Sequence, residues 1–437
     1  MSTTLSRPTV QTTAPRLDGT PSDRPIASHR RAVMAGAIGN IVEWFDWTVY
    51  ALFAVYFSGQ FFPSDSPTAA LLATFTVFAV GFLARPLGSV LLGRIADRRG
   101  RRAALTVSVV LMAAASLGIA FAPTAAMIGI FAALLLVVLR LLQGLSLGGE
   151  TAAVGAYLTE SAPSGRRGLF GSVYPTTIMV GTLLGSAVGL LLTELLTKDQ
   201  MMAFGWRIPF LIGGLLGLVG FFIRRGVHET LDVEAGHEPR PLSRTFTLHR
   251  RTAAIVFVIV GAVSLSFFGL VSGFPALAES YGVSGEAAFA ANTAGLVALI
   301  ALIPVFGWLS DRLGRRTVLG FGLIGMAVLT VPAVMLLGAG YALAAQLLIV
   351  VPQAAAQAVL MVAMIERFPS RLRGTGFGIC WATAVAAVGG TAPMISTWLV
   401  GAGMAAAFPW YVAIWCVAAA VVALRLRETA FSPLPRD

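Results

Sequence analysis

GRIADRRGRR at residues 93–102 and GWLSDRLGRR at residues 307–316 are two copies of one pattern, G-x-x-x-D-R-x-G-R-R. They stand half a chain apart in a sequence of 437 residues. A second pair keeps the same order. ESAPSGRRG at 160–168 and ERFPSRLRG at 366–374 share Glu, Pro, Ser, Arg and Gly at identical offsets. Two motifs repeated in order imply a duplicated protein. A duplicated apolar protein with basic loops is, first of all, a transporter.

Composition points the same way. Hydrophobic residues make up 57% of the chain and charged residues 12%, with a mean hydropathy of +0.82. A water-soluble protein of this size is not so poor in charge, so the chain belongs in lipid. The net charge of +11 does not indicate nucleic acid, because the basic residues sit in short loops between apolar runs. Cys380 and Cys416 each lie inside an apolar run and read as buried free thiols. The single lysine, Lys198 in LLTKDQ, is not in a phosphate loop, so ATP hydrolysis within this chain is excluded as the driving force.

A helix needs about 20 apolar residues to cross a bilayer. On that ruler the chain holds twelve spans, at roughly 34–58, 69–92, 103–122, 126–150, 168–196, 204–224, 253–277, 287–309, 317–338, 341–365, 374–400 and 407–425. Spans 4 and 10 are expected to run past the lipid to Glu160 and Glu366. Every even-to-odd loop is basic, and the odd-to-even loops carry almost nothing basic beyond Lys198. The basic side is therefore expected to be cytoplasmic, with both termini on it. Residues 1–33, polar and without a signal-peptide core, read as a disordered cytoplasmic tail. The expected units are then an N-terminal six-helix bundle at 34–225, a linker at 226–252, a C-terminal bundle at 253–425 and a short tail at 426–437.

Parallel six-helix halves joined by a central linker describe the major facilitator architecture, and the doubled D-R-x-G-R-R loops resemble that superfamily's signature. Further segments resemble its metabolite:proton symporter family: GNIVEWFDW at 39–47, FFPSDSP at 61–67, ATFTVFAVGFLARPLG at 73–88, LLVVLRLLQGLSLGGE at 135–150 and GWRIPF at 205–210. That family contains alpha-ketoglutarate, citrate, shikimate and proline/betaine transporters, and the resemblance is greatest to the alpha-ketoglutarate permeases. It implies proton-coupled uptake of a small organic anion, with the proton gradient in place of any cofactor. The absence of a Gly-Pro dipeptide in span 5 departs from the superfamily's antiporters and disfavours drug export.

Ionisable groups at membrane depth are costly and default to functional readings. Here they are Glu43, Asp46, Arg85, Arg140 and, near a helix end, Glu150, all in the first half. Glu43 and Asp46 are three apart and share a face of span 1. The resemblance places spans 1 and 4 on a central cavity, which brings Arg140 near these acids. The pair then either carries the proton or is a static ion pair. Arg140 and Arg85 are candidate ligands for an anionic substrate, since a guanidinium holds a carboxylate bidentately; the other reading of Arg85 pairs it with Glu150. Tyr50, a further substrate candidate, extends the Glu43 face of span 1, and Tyr174 lies in span 5; simple packing is the alternative for both. Gln346, Gln353 and Gln357 share a face of span 10. Gln353 and Gln357 are taken as substrate candidates; Asn292 and Trp381 are weaker ones. Helix–helix hydrogen bonding is the alternative for each. All four histidines lie outside the spans, so carboxylates must serve as proton carriers.

The loop motifs read as a cytoplasmic gate. By resemblance, Asp97 and Asp311 face the starts of spans 11 and 5, at Gly374 and Gly168, where a helix N-terminus stabilises a carboxylate. Arg98, Arg101 and Glu160, with their counterparts Arg312, Arg315 and Glu366, add ion pairs. The alternative is that these arginines only set topology.

The expectation is thus an all-α, twelve-span proton symporter of the bacterial cytoplasmic (inner) membrane. It takes up a small carboxylate, 2-oxoglutarate or a related dicarboxylate, by alternating access and works as a monomer in the lipid bilayer. The alternatives are a zwitterion such as proline or betaine, or a shikimate-like acid. No nucleophile–base pair and no cluster at metal spacing occurs in the sequence, so neither an enzyme nor a metal site is expected.

Overall fold

The computed structural model describes residues 26–99, 101–147, 154–155, 158–159, 162–163, 165–225, 249–369, 372–373, 375–432 and 434. Side chains of 26–37, 93–94, 96–99, 101–102, 104–105, 220 and 222–225 lie outside that description. The expected 1–33 tail falls largely outside the described residues, as do most of the 226–252 linker, Glu150, Gly374 and the gate side chains Asp97, Arg98, Arg101 and Glu160.

Lipid offers no hydrogen-bond partners, so a spanning segment must satisfy its own backbone. The described residues form twelve long helices and no strand. In the first half these are α1 Ile26–Phe61, α2 Pro67–Arg99, α3 Arg101–Ala120, α4 Ile130–Ser146, α5 Arg167–Leu195 and α6 Arg207–Arg225. In the second half they are α7 Arg250–Ser272, α8 Gly285–Leu313, α9 Arg315–Gly338, α10 Ala342–Ile365, α11 Gly376–Gly401 and α12 Ala407–Leu424.

The packing repeats as the sequence does. In the first half α1 packs on α5, α2 on α4 and α3 on α6; in the second α7 packs on α11, α8 on α10 and α9 on α12. The two halves meet along α5–α8 and along α2–α11. These contacts are also equivalent, because each joins the fifth helix of one half to the second of the other.

Three of the breaks in the regular helices bear on spans 4, 7 and 11. Span 4, expected from 126, is divided by Gly129, whose φ of 60° leaves a short turn at Ala125–Ile128 before α4. The end of α7 opens into a π-helical turn, Phe267–Ser272, and Gly273 then redirects the chain into Phe274–Ser280. A second π-helical turn, Val385–Gly389, lies inside α11. Such turns concentrate at functional sites.

The helices that carry the intramembrane arginines touch backbone to backbone. A Cβ on Gly144 of α4 would collide with the Gly81 carbonyl of α2. Only glycine lets these helices approach so closely, and the approach brings Arg85 and Arg140 into one neighbourhood.

Candidate functional site

A small cavity of about 30 Å³ lies between the halves. The first half contributes Trp44, Arg85, Tyr174 and Ile178; the second contributes Ser264, Phe267, Phe268, Gln357, Trp381 and Val385. Both π-helical turns feed it, through Phe267 and Phe268 on α7 and Val385 on α11. A π-turn widens the helix locally and re-aims its side chains, which here face the cavity.

Arg85 is the cationic group in that wall, and it is 6% exposed. Its guanidinium carbon stands 4.2 Å from the Phe82 ring centroid, 4.4 Å from Trp47 and 5.6 Å from Trp44. Cation–π contacts of this kind are worth about 2 kcal/mol each when desolvated, too little to replace the hydration of a buried charge. Its Nε and Nη2 have no hydrogen-bond partner among the described residues. Glu43 and Tyr174 lie within its electrostatic reach. A buried guanidinium with unsaturated donors, set in the wall of a cavity, is equipped to receive a carboxylate.

A second polar cluster lies deeper in the first half. Gln143 of α4 donates to Asp46 Oδ2 at 2.7 Å and to Ser116 Oγ at 3.0 Å, while the Ser116 hydroxyl of α3 donates to Asp46 Oδ1. Arg140 donates from Nη1 to Gln143 Oε1 at 2.7 Å. The expected contact between Arg140 and Asp46 is therefore relayed by an amide rather than made directly. Gln143 uses both ends of its side chain: it accepts from the cation and donates to the carboxylate. Arg140 is fully buried, its guanidinium carbon 4.1 Å from the Trp47 centroid, 4.2 Å from Tyr50 and 5.1 Å from Phe78. It does not line the cavity.

The other candidates divide between the two places. Gln357 lines the cavity, and Gln353 stands behind it, donating to Gln357 Oε1 at 3.2 Å and to the Val263 carbonyl at 3.3 Å. Tyr50 points away and donates to the Thr74 carbonyl at 3.1 Å. Gln346 donates to Asn292 at 3.1 Å, joining α10 to α8. Trp381 and Tyr174 both reach the cavity. Sequence reasoning missed Ser116 and Gln143, although Gln143 stands one helical turn after Arg140 and so shares its face. It also missed the aromatic wall of Trp44, Phe267 and Phe268, which only the pairing of α1 with α7 brings together.

On the basic face the second copy of the repeated loop is assembled in full. Asp311 accepts from the amides of Gly168 at 2.8 Å and Leu169 at 2.9 Å, at the N-terminus of α5 in the other half. Arg315 donates to Asp311 at 2.8 Å and to Ser310 at 2.7 Å, and its Nε is 3.8 Å from Glu366. Glu366 also meets Arg167 across the halves at 3.4 Å. Gly314 explains the motif's glycine: with φ of 96° it ends α8 and starts α9 where other residues would be strained. Arg312 stands outside this cluster, 4.0 Å over the Trp308 ring.

The C-terminal tail closes over the same cluster. Glu428 accepts from the amides of Arg315 at 2.8 Å and Arg316 at 3.0 Å, capping α9, and Thr429 donates to Glu366 at 2.5 Å. Partial burial opposes the Glu428 charge, yet four backbone N–H groups outweigh it and hold its carboxyl below the usual carboxylate range. The signal was present in the sequence: Glu-Thr follows the last span of each half, at 229–230 and 428–429. On the opposite face Tyr56 donates to Glu279 at 3.4 Å, and Ser186 and Thr293 share a hydrogen bond of 2.9 Å. The halves thus touch on both faces, with the cavity between.

The family model of the Major Facilitator Superfamily matches residues 36–303 and 256–437. The chain belongs to the major facilitator superfamily. It is 36% identical over 410 residues to the alpha-ketoglutarate permease of Escherichia coli K12, covering 91% of this chain and 93% of that one. It is 32% identical to an ectoine/proline transporter of Corynebacterium glutamicum, covering 93% and 85% respectively. A proline/betaine transporter of Salmonella typhimurium is 28% identical, with the same two coverages. A solved D-xylose–proton symporter superposes with a TM-score of 0.72 at 20% identity, covering 93% of this chain and all of that one, and so shares the fold. The protein is a multi-pass secondary transporter rather than an enzyme.

Proposed function

We propose that this transporter takes up a small carboxylate together with protons across a bacterial cytoplasmic membrane, with 2-oxoglutarate the first candidate. Arg85 carries the reading: a buried guanidinium in the cavity wall with two donors that no group among the described residues uses. The alpha-ketoglutarate permease relative supports the choice of substrate to test first. Arg85 binds the anion, and Gln357, steadied by Gln353, orients it from the other half. Asp46 takes the proton, with Glu43 as the second carboxylate near Arg85. Arg140 acts on Asp46 through Gln143 and on the substrate only indirectly. The Asp311–Gly168 clasp with Arg315 and Glu366 closes the cytoplasmic side, and Asp97, Arg98, Arg101 and Glu160 form its first-half counterpart.

The driving force is the proton gradient alone. A dianion with two protons moves no net charge. A third proton would let the membrane potential contribute about 2.3 kcal/mol per charge per 100 mV.

A zwitterion is the second reading, and the aromatic wall favours it. Trp44, Phe267, Phe268 and Trp381 surround the cavity, and aromatic cages bind quaternary ammonium groups. Uptake into proteoliposomes with an inward proton gradient decides between the readings, using 2-oxoglutarate, shikimate and betaine. Saturable 2-oxoglutarate uptake, abolished by an uncoupler and by Arg85→Ala in folded protein, is the expected result. Betaine uptake with no response to 2-oxoglutarate would move the assignment to the zwitterion.

A further inference from the structure

The two arginines of the first half lean on one indole. The guanidinium carbon of Arg85 is 4.4 Å from the Trp47 ring centroid and that of Arg140 is 4.1 Å. Trp47 is fully buried and follows Asp46 directly in α1. Its neighbours therefore belong to both clusters: Arg85 faces the cavity, and Arg140 reaches Asp46 through Gln143. Space for the ring is kept by Gly81. A Cβ there would stand 3.2 Å from Trp47 Cη2 and 3.3 Å from the Arg140 carbonyl.

We propose that Trp47 is the positioning residue that couples the proton site to the substrate site, an inference that rests on the proton-coupled carboxylate reading above. While Asp46 is charged, it balances Arg140 through the amide relay. When Asp46 takes a proton, Arg140 loses its counter-charge, and one carboxylate, Glu43 within electrostatic reach of Arg85, is left for two guanidinium groups that lean on one indole in a low-dielectric interior. Their mutual repulsion is relieved by an anion arriving at Arg85. The indole fixes the separation at which each cation feels the other, so protonation raises anion affinity. By linkage the anion raises proton affinity equally. A Trp47 that only packs against Phe78 and Phe82, whose centroids are 5.6 and 4.7 Å away, would leave the pH dependence of substrate affinity unchanged.

The test uses full-length wild type, Trp47→Leu, Trp47→Phe and Gly81→Ala in proteoliposomes, with whichever of 2-oxoglutarate, shikimate or betaine the wild type accumulates. Gradient-driven accumulation is compared with counterflow at equal pH on both sides, at acid and at neutral pH. The wild-type counterflow KM is expected to fall on acidification. In Trp47→Leu counterflow persists, its KM is the same at both pH values, and accumulation drops at least about tenfold, equivalent to about 1.4 kcal/mol of lost coupling. Trp47→Phe, which keeps a ring, restores part of the pH dependence; Gly81→Ala, which displaces the ring, removes part of it. The inference is overturned if Trp47→Leu keeps a pH-dependent KM. It is equally overturned if Trp47→Leu loses both transport modes together while Trp47→Phe and Gly81→Ala match the wild type. A wild type that accumulates none of the three compounds sinks the functional reading first and the inference with it.

Discussion

The two halves share a packing plan and differ in what they bury. In the first half α1, α2 and α4 carry Glu43, Asp46, Arg85 and Arg140 into the membrane interior. The second half lines the cavity with Ser264, Phe267, Phe268, Gln357, Trp381 and Val385, none of them charged. Helix pairing of the form 1·5, 2·4, 3·6 recurs in both, so the fold does not require the charges. They are retained in one half at a cost of several kcal/mol of desolvation each, which is the mark of chemistry rather than architecture. The difference places the buried intramembrane charges in one half and most of the cavity's aromatic wall in the other.

That division can be broken by moving its charges. Asp46→Asn removes the titrating group of the deep cluster while keeping its size, and turns one of its two acceptors into a donor. Accumulation against a gradient should fall at least about 100-fold, roughly 2.7 kcal/mol, while counterflow survives; a variant that still accumulates substrate would end the claim for Asp46. Arg85→Ala removes a charged hydrogen-bond partner worth up to about 3 kcal/mol, so KM should rise roughly 100-fold. Arg85→Lys keeps the charge but not the fork, and should fall in between. In the second half Gln357→Ala should raise KM only about fivefold, the worth of one neutral hydrogen bond near 1 kcal/mol. Equal losses at Arg85 and Gln357 would erase the contrast between the halves.

The smallest effect is expected at the tail. The Glu428 carboxyl has a depressed folded value, so its contribution is present above the unfolded pKa and is lost as pH falls through the folded one. Hydrogen exchange at the Thr429 and Ala430 amides, corrected for intrinsic rates, should therefore quicken on acidification. Glu428→Gln should exchange fast already at neutral pH and show little further change, with KM unaffected.

Most of the architecture was legible because lipid imposes a single solution on apolar runs of that length, and because the doubled D-R-x-G-R-R loops fixed the symmetry. The Asp311–Gly168 contact was likewise readable from motif and resemblance. The site was less legible. Arg85 and Gln357 stood out as polar groups in apolar spans and do line the cavity, whereas Tyr50 and Arg140 looked equivalent to them and do not line it. Helical periodicity gives the face of a residue on its own helix; it does not say which neighbour covers that face. Ser116 and Gln143 were overlooked because hydroxyls and amides inside spans are common and become informative only beside a carboxylate.

The π-helical turns at Phe267–Ser272 and Val385–Gly389 have a consequence for how this wall can be re-engineered. Each holds one residue more than an α-helical turn would, and each residue turns the helix by about 100°. Removing a single residue from either turn would leave an apolar helix of nearly the same length, still able to cross the bilayer. It would also swing every side chain beyond it about a quarter-turn out of register with the opposite half. The cavity's outline is thus written in the count of residues along two helices as much as in their identity.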